Sequence, residues 1–184
     1  MSATQRHNRK THLFVCVSGE HRPGLLPMLS FVILDCGCSV QDSHLSVWGD
    51  SFSCALLING NWSTLGKVEK ALTEIAAEAE LQLLSRHTST PQLSSQTLPY
   101  SVDIIALEQP DIVHQVLTFF AARDIEIREM NTHAYTPSHS TTSLFTAHLA
   151  VEVPAGEHIA SLRDDFLDLC DELNLDGVIE PIKP

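Results

Sequence analysis

A chain of 184 residues with 43% hydrophobic and 18% charged side chains has the apolar material for packed cores and too little charge to stay disordered; its length admits two small domains as readily as one large one. The net charge of -12 is uneven, with +3 on residues 1–11, -4 on residues 12–90 and -11 on residues 100–184, so direct contact with nucleic acid is not expected. No run approaches the roughly 18 to 20 apolar residues of a membrane span, the start MSATQRHNRK lacks a secretory apolar core, and five cysteines do not read as a disulfide framework, so a cytoplasmic globular protein is expected.

In chain order, residues 1–11 read as a mobile tail. The run LFVCV predicts a strand, and VSGEHRPGLL turns it into an apolar-periodic helix that ends at DCGCSVQD. There Gly37 supplies a left-handed cap and Cys38 begins the next strand. SVQDSHLSVW and SFSCALLI are strands meeting in a tight hairpin at Gly49-Asp50. Leu65, Val68, Leu72, Ile75 and Ala79 step by 3, 4, 3 and 4, one stripe of a helix, and LQLLSRH closes the unit as a strand. TSTPQLSSQTLP, with two prolines in a Ser/Thr-rich body, is linker.

The same order then repeats. YSVDIIAL precedes ALEQPDIVHQVL, and Pro110 lies 87 residues beyond Pro23; at the same offset Ile125 matches Cys38 and Glu129 matches Asp42. Strands IEIREMNTHAY and SLFTAHLAVEV are joined by the looser TPSHSTT. The stripe Ile159, Leu162, Phe166, Leu169, Leu173 then matches the earlier helix at an offset of 94, and GVIEPI ends the copy. The expected architecture is α+β: two ferredoxin-like β-α-β-β-α-β units, each a four-stranded antiparallel sheet with both helices on one face. The boundaries are residues 1–11 for the tail, 12–88 for the first unit, 89–99 for the linker and 100–184 for the second unit.

At the first turn, Pro23 has a φ suited to a helix edge, and Gly24 lets the backbone pass close to another group. The first-turn amides of Gly24, Leu25 and Leu26 lack helical partners and carry the positive end of the helix dipole, a small anion site fit for a carboxylate. The same residues also read as a plain turn with a helix cap.

Duplicated units of this size with RPG at the first strand-to-helix turn resemble ACT domains, the small-molecule sensors of amino-acid metabolism. Within them the first copy, through RPG, CGC followed by QDS, and LLINGNW, is similar to the glycine cleavage system repressor family. The resemblance implies an amino acid, glycine being a candidate, bound beside the turn Glu20 to Leu25 where ACT units pack together. Its carboxylate would meet the Gly24 and Leu25 amides, with Leu26 and Arg22 beside them. Asp42 and Glu20 are candidates for its ammonium, and His21 for gating. It implies a non-enzymatic repressor that acts through a DNA-binding partner protein such as a transcription activator, and a homo-oligomer. The alternatives are a regulatory subunit of a metabolic enzyme and a ligand-free interaction module. This chain departs from the ACT pattern in having His21 before RPG, with Glu20 one step earlier. The second copy has Asp111 where the first has Gly24; an acid there caps a helix and repels a carboxylate, so that turn reads as structural.

Other constellations are weaker. Cys36-Gly37-Cys38 lacks the second ligand pair of a zinc site, so no metal and no cofactor are expected. His44, His133 and His148 fall on strands, placed on a face rather than in a cluster. Cys54 beside His44 could form a nucleophile pair, but a cysteine in FSCALLI reads as core; with no G-x-S-x-G, H-E-x-x-H or Gly-rich phosphate loop, no catalytic residue is assigned. Asp164, Asp165, Asp168, Asp171 and Glu172 oppose an apolar stripe and read as a solvated helix face, or as a docking surface for a basic protein.

Overall fold

A computed structural model describes residues 12–89, 96–138 and 141–182. The expected tail, most of the linker and the centre of TPSHSTT lie outside the described residues. The chain divides into two compact units, Met1–Gln92 and Leu93–Pro184.

The first unit runs β1 (His12–Glu20), α1 (Leu25–Asp35), β2 (Ser39–Trp48), β3 (Ser51–Asn59), α2 (Trp62–Glu78) and β4 (Gln82–Thr88), with strand order β2-β3-β1-β4 and every neighbour antiparallel. Alternation sends Leu13, Val15 and Val17 of β1, and Phe52, Cys54, Leu56 and Ile58 of β3, to one face, where they are buried under Leu29, Val32 and Ile33 of α1 and Leu65, Val68 and Leu72 of α2. Each such large side chain, fully buried, contributes about 1.5–3 kcal/mol. Gly49 holds a φ of 62° at the hairpin. At the end of α1, Gly37 adopts φ 74°, its N–H donates to the Leu34 carbonyl and that of Cys38 to the Ile33 carbonyl, the paired bonds of a Schellman cap. Asn61 starts α2 with a reciprocal capping box: its side chain accepts from the Thr64 N–H at 2.9 Å, and its own N–H donates to Thr64 Oγ1 at 3.0 Å.

The second unit runs β5 (Thr97–Leu107), α3 (Ile112–Ala121), β6 (Glu126–Tyr135), β7 (Leu144–Pro154), α4 (Ile159–Leu173) and β8 (Leu175–Pro181), with strand order β6-β7-β5-β8. Its core gathers Val102, Ile104, Phe120, Leu149, Leu162 and Phe166. Both units have the α+β ferredoxin-like order read from the repeats.

Several boundaries and stripes shift. Thr97–Pro99, expected in the linker, pair with Pro154, Val153 and Glu152 as the start of β5. In α2 it is Ala76 that is buried, while Ile75 packs at the core's margin. In α4, Cys170 joins Leu162 and Phe166 in the core, and Leu169 and Leu173 flank it. A small residue is favoured at Cys170 because α4 lies close to β8 there. At Gly177 of β8, an added Cβ would sit 2.5 Å from Cys170 Sγ and 2.8 Å from the Phe166 ring.

Candidate functional site

The turn between β1 and α1 is built around Gly24. Its φ of 91° and ψ of -13° lie in the left-handed region, where a side chain is strained and glycine is not. A Cβ built there would meet nothing within 4 Å, so the backbone faces open space. The helix begins at Leu25 rather than Pro23, with no side-chain cap. The Met28 N–H donates to the Gly24 carbonyl at 3.0 Å as the first helical bond, and the Leu25 N–H makes only a long contact of 3.4 Å to the Arg22 carbonyl. Pro27 has no N–H. Among the described residues the Gly24 and Leu26 amides have no acceptor, and they sit at the positive end of the α1 dipole. The half-buried Leu25 and Leu26 side chains pack against the core and hold the turn.

Three flanking residues stiffen it. The His21 N–H donates to the Asp50 carbonyl at 2.7 Å, tying the turn to the β2–β3 hairpin, and its ring meets the buried Phe52 edge-on at 6.2 Å. Arg22 donates through Nε and Nη2 to one oxygen of Glu20, at 3.1 and 2.6 Å, with Glu80 4.0 Å away. Both partners of that pair are about half exposed or more, so it orients the rim and contributes little stability.

Asp42 is not part of this turn. It pairs with Leu57, whose β1 partner is Phe14, whereas Glu20 pairs with Ser51, itself opposite Trp48. Asp42 is therefore six positions along β2 from the level of Glu20, about 20 Å at roughly 3.3 Å per residue. The cause is topological: β1 and β2 run parallel with α1 between them, so the residues after α1 emerge at the opposite end of the sheet from its start.

The second turn differs in backbone as well as sequence. Asp111 precedes α3 with φ -101° and ψ -9°, and its side chain makes no capping bond. The expected cap fails because a capping carboxylate needs the extended conformation at this position, and Asp111 is already near-helical.

The other constellations resolve by register. Cys54 faces the core, while His44 is opposite Ala55 and so lies on the other face of the sheet; they form no pair. Burial pushes the Cys54 thiol up from its usual pKa. Among the described residues no three His, Cys, Asp or Glu side chains gather as a metal cluster, and no helix is long and apolar enough to cross a membrane.

Two clusters were not legible in the sequence. In the first unit, Glu69 of α2 accepts from Ser85 Oγ at 2.7 Å and from His87 Nε2 at 3.1 Å, and Trp62 lies over the His87 ring at 5.5 Å. The Ser85 bond leads in lowering the Glu69 pKa, partial burial works against it, and His87 adds to the lowering. In the second unit, a cavity of about 350 Å³ opens on the sheet face away from the helices, lined by Asp103, Ile105, Asn131, His133, Thr146 and His148 among others. His133 and His148, expected to be scattered, line it together. Only tertiary packing reveals them, helix on sheet in the first and strand pairing in the second, since their members lie 16 to 45 residues apart.

An ACT domain family model matches residues 11–84. The glycine cleavage system transcriptional repressor of Escherichia coli (strain K12) is 23% identical over 171 residues, covering 93% of this chain and 90% of that protein, and the Shigella flexneri repressor matches equally. Among solved structures, an unknown protein from Galdieria sulphuraria has a TM-score of 0.81 at 20% identity, covering 94% of this chain and 99% of its own. A provisionally named glycine cleavage system transcriptional repressor has a TM-score of 0.68 at 22% identity, covering 95% and 98%. Residues 11–84 match the ACT domain model, and the chain as a whole has two ferredoxin-like units and is similar along its length to the glycine cleavage system transcriptional repressors.

Proposed function

We propose that this protein is a non-enzymatic, amino-acid-responsive regulator that represses glycine cleavage genes through a DNA-binding partner protein. The observation that carries the reading is the turn at Gly24: an uncapped helix start with two unpartnered amides, left-handed glycine backbone and open space in front of it. An α-carboxylate would be held by the Gly24 and Leu26 amides and the helix dipole. Glu20 is the acid within reach for an ammonium group, in competition with Arg22. The similarity to proteins named as repressors supports the regulatory role. The acidic balance of residues 100–184 favours a protein partner over DNA. A ligand acts only through its different affinity for two states of the regulator, so binding and partner contact are expected to be coupled.

Calorimetry of the full chain against the twenty amino acids tests the sensor, and silence across the panel refutes it. Gly24→Asp is expected to abolish binding, with circular dichroism checking that the fold survives. Capture from cell extract separates a transcription regulator from a metabolic enzyme as partner, and the enzyme would support the alternative reading of a regulatory subunit.

Self-association is also proposed. β2 is exposed along its length, and Phe31 and Leu34 stand 66% and 72% exposed on α1. Pairing of such an edge with a second copy would cover both. Light scattering that finds only monomer at micromolar concentration would remove this part.

A further inference from the structure

The cavity on the open face of the second sheet has features that the amino-acid reading does not use. His148 of β7 donates through Nδ1 to Asp103 Oδ1 at 2.7 Å, because a carboxylate only accepts; the other carboxylate oxygen accepts from Ser101 Oγ at 3.0 Å. This fixes the imidazole tautomer and leaves Nε2 with its lone pair. His133, on the neighbouring strand β6, is stacked on Tyr135 with ring centroids 5.7 Å apart and planes 15° from parallel. Register sets Asn131 directly opposite His148, and Thr146 opposite His133. The two histidines are thus diagonal neighbours on one face, with Cβ atoms on the order of 7–8 Å apart, a gap two imidazole rings can close over an ion. Both line the same cavity, together with Asn131.

We propose that His133 and His148 form an open binding site for a divalent late first-row transition ion, with Asp103 as the carboxylate that orients His148 and the Asn131 amide oxygen as a further donor. Imidazole is the ligand such ions prefer among the groups present. A histidine whose second nitrogen donates to a carboxylate is the usual arrangement behind a metal ligand. Tyr135 and Asp103 hold the two rings independently, so the donors are oriented before an ion arrives. The electrostatics agree: the pairing sets Glu129, Asp176 and Glu180 on the same face, all exposed, which draws cations and repels anions. No third His, Cys, Asp or Glu completes the set among the described residues, so the remaining positions fall to water.

The test uses the full chain and Zn²⁺ alone. Titration with one equivalent is expected to shift the side-chain nitrogen resonances of His133 and His148, and of no other histidine, in long-range ¹H–¹⁵N spectra, with a saturable 1:1 isotherm by calorimetry. His148→Gln and His133→Gln, at exposed sheet positions, are each expected to weaken binding at least tenfold, and Asp103→Asn about 10- to 100-fold. Unshifted His133 and His148 resonances, a non-saturating isotherm, or an affinity that survives the double Gln variant overturns the assignment. An Asp103→Asn variant that binds like the parent overturns the orienting role of Asp103.

Discussion

Gly24 and Gly66 make a matched pair. At both, an added Cβ would meet nothing within 4 Å, so replacement by alanine tests backbone conformation with no clash to confuse it. Gly24 has φ 91°, whereas Gly66 lies inside α2 and is absent from the positive-φ glycines. Gly24→Ala should cost about 1–2 kcal/mol, the penalty of an L side chain in the left-handed region. Gly66→Ala should stabilise by roughly 0.5–1 kcal/mol, because the unfolded chain loses freedom and helix propensity rises. With a urea slope of about 1 kcal/mol/M for a small domain, the midpoint should fall by about 1–2 M in the first variant and rise by about 0.5–1 M in the second. The protein's two tryptophans, Trp48 and Trp62, both lie in the first unit, so fluorescence follows that unit alone. A neutral Gly24→Ala, or shifts of the same sign in both variants, would refute the left-handed turn. The candidate site would go with it, since the side-chain-free backbone at its centre depends on that conformation.

Asn61→Ala removes one half of the capping box and should destabilise the first unit by about 1 kcal/mol in the same urea assay. Gly177→Ala forces a methyl against Cys170 and Phe166 and should cost about 1–3 kcal/mol, read from thermal melting by circular dichroism; an unchanged melt would mean α4 does not approach β8 so closely. Glu69 has a folded-state pKa below its ordinary value near 4.5, so the stability it contributes is present above that value and is lost as pH falls through the lowered one. Ser85→Ala removes the leading cause, so the first unit should be less stable at neutral pH and its remaining stability should depend less on pH below about 4.5. A variant whose acid unfolding, followed by tryptophan fluorescence, superimposes on the parent's would show that the Ser85 bond does not act on Glu69.

The second unit differs from the first in the chemistry of its surface. Its first turn lacks the glycine, and an acid, Asp111, stands in its place. The two units share a fold, but only the first has a left-handed glycine at this turn, while the second has His133 and His148 lining one cavity. If both sites bind as proposed, one chain would respond to two chemically distinct signals, and titrating each with the other ligand present would measure their coupling directly.

The pattern of apolar residues determined the elements. The apolar runs LFVCV and YSVDIIAL, period 3.6 in the stripes at Leu65 and Ile159, and the coincidence of Pro23 with Pro110 carry the β-α-β-β-α-β order and its duplication, because these signals are local. Gly37 and Gly49 were legible for the same reason, as their turns need conformations that few other residues adopt. What only the tertiary structure decided is which residues meet. Asp42 is a candidate by family likeness for an ammonium at the Gly24 turn, yet the parallel course of β1 and β2 leaves it about 20 Å along β2 from the level of Glu20. Asp103 and His148, 45 residues apart, meet because strand register sets them opposite one another. Ala76 and Cys170, each four residues beyond a buried neighbour, are buried in place of Ile75 and Leu169, because the angle at which each helix settles against its sheet is set by packing. Local periodicity says which way a side chain points; its partners depend on contacts between distant segments, which form only when the sheets assemble.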